Sequence, residues 1–159
     1  MPRQEELRRS YQPSLINLLF IGESPPASGR FFYQRDSGLY RAMREVFQVA
    51  DEDFLKAFQS AGCYLIDLCP EPVDRLDPRS RRDLCRANEP QLATAIANLQ
   101  PAKIATLLRS IEDNVKRAAY LAGWQGPFIH LPYPGRWSKH RKIFAEALEP
   151  IVRSLRQLT

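Results

Sequence analysis

The stretch LLFIGESPPASG, residues 18–29, decides the fold of this chain. Its apolar beginning predicts a β-strand buried on both faces, because strands inside a parallel sheet are continuously rather than alternately hydrophobic. A loop rich in Gly, Ser and Pro follows at once and carries Glu23 at its first turn. Its two prolines fix φ and remove two backbone donors, so we expect a rigid loop. Ligands of open α/β folds bind beyond the carboxyl ends of the strands, which makes Glu23 a candidate site residue. The alternative is a structural turn with a solvated Glu23.

Strands and helices alternate along the rest of the chain. Further strands are predicted at 63–68, 103–107 and 127–132, with helical periodicity in the segments between them. Strands separated by helices pair in parallel through right-handed crossovers. The pattern therefore predicts an α/β fold, a three-layer α/β/α sandwich with a central four-stranded parallel sheet. We find no linker, repeat or low-complexity tract, so we expect a single domain over residues 1–159.

The composition is ordinary for a globular chain, with an excess of positive charge. The chain has 159 residues, 44% of them apolar, and a formal net charge of +5. Positive charge favours a polyanionic partner, and we expect DNA, either single- or double-stranded. No apolar run approaches the roughly 18 residues of a membrane span, and the polar N-terminus does not resemble a signal peptide. We therefore expect a cytoplasmic monomer without a membrane partner.

The three cysteines do not suggest a metal site. Cys63, Cys69 and Cys85 are odd in number, and no two of them have C-x-x-C spacing. A zinc or iron–sulfur site would need another ligand and closer spacing. We predict no metal, no other cofactor and no disulfide, and we expect Cys63 to be a small core residue.

Asp67 is a second candidate site residue, because it interrupts the hydrophobic segment CYLIDL at 63–68. Burying an unpaired charge is unfavourable, so this carboxylate needs a ligand or a partner. A salt bridge with a nearby arginine is the structural alternative. In a parallel sheet, Asp67 would share one edge with Glu23, beside the aromatic run of residues 31–33.

A basic segment near the C-terminus is the third candidate. It comprises Arg136, Trp137, Ser138, Lys139, His140 and Arg141 at the predicted start of the last helix. Helix N-termini favour anions, and Arg and Lys contact phosphates without distinguishing sequence. Trp137 is suited to stacking on bases or wedging between them. We expect His140, which is flanked by cations, to contact phosphate rather than act as a base. The alternative is a solvated basic face with Trp137 packed on the core.

Taken in order, these segments resemble the uracil-DNA glycosylase superfamily. The similarity is carried by the motif GESPP at 22–26, the aromatic stretch 31–39, the strand 63–70, the helix and strand at 89–109, and LPYP at 131–134 with His140 and Arg141 after it. Together they cover about residues 15–150. The resemblance implies N-glycosidic hydrolysis of a flipped nucleotide.

The resemblance also implies roles for individual residues. Glu23 would orient or activate the attacking water. Phe32, or its neighbour Phe31 or Tyr33, would stack on the base. Asp67 would recognise the edge of the base, and the basic segment would hold the DNA.

Two positions depart from the pattern of the family. Leu131 matches the catalytic histidine and has no hydrogen-bond donor for a developing oxyanion. Asp67 matches the asparagine that recognises uracil. An ionised carboxylate only accepts hydrogen bonds, so it suits adjacent donors such as those of guanine, or the amino group of cytosine. It would repel a uracil oxygen unless it were protonated.

The cluster cysteines of the iron–sulfur branches are also missing. We therefore expect a DNA N-glycosylase of altered base specificity. A catalytically inactive module that binds nucleic acid or a nucleobase is the alternative. An enzyme acting on free nucleosides or nucleotides is a third possibility.

Overall fold

A parallel sheet of four strands forms the centre of the molecule. The computed structural model describes residues 2–157. The strands are β1 (Leu18–Gly22), β2 (Cys63–Asp67), β3 (Ile104–Thr106) and β4 (Phe128–His130). They lie in the order β2-β1-β3-β4, and every neighbouring pair is parallel.

Seven α-helices in the described part of the chain flank this sheet. They are α1 (Pro2–Ser10), α2 (Gly38–Phe47), α3 (Asp51–Ser60), α4 (Pro78–Ala87), α5 (Glu89–Leu99), α6 (Glu112–Leu121) and α7 (Ser138–Gln157). The predicted α/β/α sandwich with a four-stranded parallel sheet is confirmed. Within residues 2–157, no helix combines the length and apolar character needed to cross a membrane.

Two helices begin differently from the sequence prediction. An Asp at the start of a helical segment predicts an N-cap, but Asp51 is the first residue of α3 and makes no cap. Its carboxylate instead accepts a hydrogen bond from the Tyr40 hydroxyl at 2.7 Å and pairs with Arg35. Ser110 likewise precedes a helical segment and predicts an N-cap, but it lies within a short 3₁₀ turn, and α6 begins at Glu112. The Asp51 carboxylate therefore makes a charge-assisted bond with Arg35 instead of the weaker capping bond with a backbone N–H of α3.

An aromatic cluster packs between the sheet and helices α2 and α3. It consists of the rings of Phe20, Phe32, Phe47, Phe54 and Phe58, with neighbouring centroids 5.2–6.1 Å apart. All five side chains are buried, with at most 4% of any residue exposed. Edge-to-face and offset contacts of this kind add to the hydrophobic stabilisation. The cluster therefore holds Phe32 firmly at the site described below.

The carboxyl ends of β1 and β2 meet at one edge of the sheet. Gly22 pairs in register with Asp67. The pairing continues past the strands, because the backbone N–H of Leu68 donates to Gly22 and that of Cys69 donates to Glu23, each at 2.8 Å. Glu23 and Asp67 are thus brought to the same edge by backbone hydrogen bonds.

Candidate functional site

A cavity of about 440 Å³ opens at this edge of the sheet. The loop after β1 supplies one wall, and Phe31 and Phe32 supply a second. Asp67 from β2 and Tyr133 from the segment after β4 also line it. The volume lies in the range of small-molecule sites, and an apolar lining with a few polar groups is typical of them.

Three of the predicted site residues, Glu23, Phe32 and Asp67, line this cavity. Tyr33 does not line it. The Tyr33 ring lies in the core with 2% of the residue exposed, and its hydroxyl accepts a hydrogen bond from the backbone N–H of Leu65 at 2.9 Å. Burial raises the pKa of Tyr33 well above its usual value. Phe31 and Phe32 are therefore the rings placed to stack on a ligand.

Glu23 is held in place by Arg81, a residue of α4. The Arg81 Nε donates to Oε2 of Glu23 at 2.9 Å, and its Nη2 donates to Oε1. Only 8% of the Glu23 side chain is exposed. This bidentate ion pair raises the pKa of the Arg81 guanidinium. It fixes the orientation of the Glu23 carboxylate and offsets part of its charge.

Two cysteines lie behind Glu23. The Sγ of Cys85 is 3.6 Å from Oε2 of Glu23 and 3.8 Å from the Sγ of Cys69. Both are free thiols, and burial is the main cause that raises the pKa of Cys85 to about 12. Cys85 therefore stays protonated at neutral pH and is a weak hydrogen-bond donor to Glu23, while Cys69 donates to Cys85. In the part of the chain that the structure describes, no three His, Cys, Asp or Glu side chains are grouped to hold a metal ion.

Asp67 is the second carboxylate of the cavity that is largely shielded from solvent. Its side chain is 11% exposed, and its Oδ2 lies 3.4 Å from Nη2 of Arg8 in helix α1. Burial raises the pKa of Asp67 to about 6, and Arg8 acts in the opposite direction. A Cβ at position 22 would lie only 2.8 Å from Oδ1 of Asp67. Gly22 thus leaves the space that this carboxylate occupies.

The raised pKa of Asp67 predicts how the free energy of unfolding depends on pH. In the unfolded chain this carboxyl titrates near 3.8, and in the folded protein at about 6. Between these values the folded state binds more protons, so Asp67 contributes stability at low pH that is lost as the pH rises through this window. Asp67→Asn does not titrate. Relative to wild type, we expect the free energy of unfolding of the variant to increase by on the order of 2 kcal/mol as the pH rises from about 4 to neutral.

Urea unfolding of both proteins over this pH range measures the difference. The exposed Glu71, replaced in Glu71→Gln, gives the baseline for a carboxyl in contact with solvent. A difference between Asp67→Asn and wild type that is constant with pH would contradict the raised pKa.

The predicted basic segment lies on the surface. Arg136, Trp137, Ser138, Lys139, His140 and Arg141 are all exposed, and Ser138 begins α7. Trp137 is 65% exposed, so it is not packed on the core. None of these six residues lines the cavity. Tyr133, only three residues before Arg136, does line it and is 44% exposed, so the chain runs directly from the cavity to the basic segment.

Two arginines hold the carboxylates, and neither Arg81 nor Arg8 was predicted as a site residue. The one available signal was the requirement that a buried Asp67 have a partner. Leu131 is 3% exposed, and its backbone N–H donates to Thr106 at 2.9 Å, so it serves the core beside the cavity.

No protein-family model matches the chain, and none of the curated proteins is detectably similar to it in sequence. Function is therefore inferred from the chemistry of the cavity.

Proposed function

We propose that this protein is a DNA base-excision N-glycosylase of altered base specificity, related in architecture to the uracil-DNA glycosylases. One observation carries the proposal: two carboxylates, Glu23 and Asp67, and the rings of Phe31 and Phe32 line a single cavity at the carboxyl ends of parallel strands. A flipped base is a flat ring with a polar edge. It needs an apolar surface against its face and a polar group at its edge, and the cavity offers both.

The reaction breaks the bond between the base and C1′ of the sugar. Water adds its oxygen to C1′, the base leaves with the bonding electron pair, and one proton of the water ends on the base. Glu23, oriented by Arg81, would position the water and oppose the positive charge that develops at the sugar. Tyr133 lines the same cavity, and burial raises the pKa of its hydroxyl, so it remains a donor for the departing base.

Base release from oligonucleotides tests this function. Single- and double-stranded substrates should carry uracil, hypoxanthine, xanthine or an alkylated base at a central position. Alkaline cleavage of the resulting abasic site reports the product. We expect release of at least one base by the wild-type protein. No release of any base, with wild type equal to Glu23→Ala, would exclude the enzyme.

A binding module without catalysis is the second candidate. Both oxygens of Glu23 already accept hydrogen bonds from Arg81, which leaves fewer acceptor positions for an attacking water. The burial of Leu131 at the histidine position points the same way. This candidate predicts saturable binding to DNA with no abasic product.

Both candidates predict a salt-dependent contact between DNA and the basic segment. Arg136→Ala and Lys139→Ala should each weaken binding and lower the slope of log K against log salt by about one. Arg153→Ala is the matched control, because Arg153 lies on α7, as Lys139 does, but is paired with Glu149. Fluorescence anisotropy over a salt series measures the slope. Equal slopes for all three variants and wild type would remove this segment from the interface.

A further inference from the structure

Arg8 contacts the cavity from behind. Its Nη2 lies 3.4 Å from Oδ2 of Asp67, and its Cζ lies 5.2 Å from the centroid of the Phe31 ring. Asp67 and Phe31 line the cavity, whereas Arg8 does not. One guanidinium therefore touches both the polar edge and the aromatic wall of the site without occupying it.

Hydrogen bonds from the two Nη atoms fix the position of Arg8, whereas its Nε makes none among the described residues. Glu5 accepts a hydrogen bond from its Nη1, and only 14% of the Arg8 side chain is exposed. Its Nε is buried and has no hydrogen-bond partner among the described residues. An unsatisfied buried donor is destabilising. The Arg8 guanidinium is thus held at the cavity through its two Nη atoms alone.

The second oxygen of Asp67 is available to a ligand. No residue that the structure describes donates a hydrogen bond to Oδ1, and the Asp67 side chain lines the cavity. The charged groups acting on Asp67 are Arg8 and Glu5 from α1 and Glu23 from the end of β1. Arg8 is the one cation among them, so it alone favours the ionised form.

We propose that Arg8 is the residue that sets base specificity: it holds Asp67 as a carboxylate, so the cavity selects a base whose edge presents N–H donors. Guanine, with N1–H beside its amino group, and cytosine, with its amino group, have such edges. Uracil presents one donor between two acceptors, and a carboxylate repels those acceptors. The inference rests on the part of the proposed function that places a base in the cavity.

The ionisation of Asp67 is measured directly by carbon-13 NMR titration of its carboxyl group in the full chain. Arg8→Gln removes the cation and should move the midpoint upward. The matched control is Arg9→Gln, because Arg9 also pairs with Glu5, at 3.3 Å, but is 72% exposed. Arg9→Gln should titrate as wild type does. Equal midpoints in the two variants would overturn the proposal.

The affinities for free nucleosides measure which base the cavity selects. Calorimetry with guanosine, cytidine and uridine at about pH 7.5 should show that wild type prefers guanosine or cytidine over uridine by about tenfold or more. The preference should disappear at about pH 5, where Asp67 is protonated. Arg8→Gln should lose it at both pH values, whereas Arg8→Lys and Arg9→Gln should keep it at the higher one.

The possible outcomes separate the two proposals. If Arg8→Gln does not fold, the pH dependence of wild type still decides. Equal affinities for the three nucleosides at about pH 7.5, or no binding of any of them, would overturn the role of Arg8. A preference for guanosine or cytidine without base release from oligonucleotides would support the role of Arg8 and exclude the glycosylase. Base release without such a preference would support the glycosylase and exclude the role of Arg8.

Discussion

Glu23→Gln should lower the rate of base release by about two to four orders of magnitude while oligonucleotide affinity changes little. The amide retains the size of the side chain and one acceptor for Arg81, so the loop after β1 should keep its conformation. It lacks the negative charge that opposes the positive charge at the sugar and that orients the water. The effect should therefore appear in the single-turnover rate constant and not in binding.

Glu71→Gln is the control for this experiment. Glu71 follows β2 by four residues and is exposed, and it does not line the cavity. Its replacement should leave the rate within about twofold of wild type. A Glu23→Gln rate equal to that of Glu71→Gln would show that the reaction does not use the carboxylate held by Arg81.

Phe58→Ala should lower the free energy of unfolding by about 3–5 kcal/mol. Phe58 is 1% exposed, and its ring lies 5.3 Å from Phe32, 5.5 Å from Phe54 and 5.7 Å from Phe20, between centroids. Truncation leaves a void among rings that are themselves buried and cannot collapse freely. The variant should also bind ligands less tightly, because Phe32 loses a neighbour that holds it against the cavity.

Urea unfolding of wild type, Phe58→Ala and Phe58→Leu measures this effect. Leucine retains much of the buried volume, so Phe58→Leu should lose clearly less stability than the alanine variant. A loss below about 1 kcal/mol for Phe58→Ala would mean that the aromatic cluster is not a main source of stability.

The sheet could be predicted because continuous apolar runs are a local signal. The segments 63–68 and 103–107 contain β2 and β3, and both strands were predicted from their apolar runs. Once the strands are parallel, their carboxyl ends must share an edge. The meeting of Glu23 with Asp67 at one cavity therefore followed from topology.

The partners of those carboxylates could not be predicted in the same way. Arg8 is 59 residues from Asp67 in sequence, and Arg81 is 58 residues from Glu23. Neither periodicity nor spacing encodes a contact between side chains of different elements. The placement of Tyr33 was equally inaccessible, because adjacent aromatic residues in an irregular loop give no indication of which ring faces the core.

The contact between the backbone at position 22 and the carboxylate opposite it has a consequence for redesign. A Cβ at this place would meet Oδ1 of Asp67 at 2.8 Å, so any larger residue at position 22 forces the carboxylate to move. Asp67 can be replaced beside the native glycine, as in Asp67→Asn, whereas a change at Gly22 also displaces the acidic side chain. A project to change which base is accepted should therefore keep Gly22 and vary position 67.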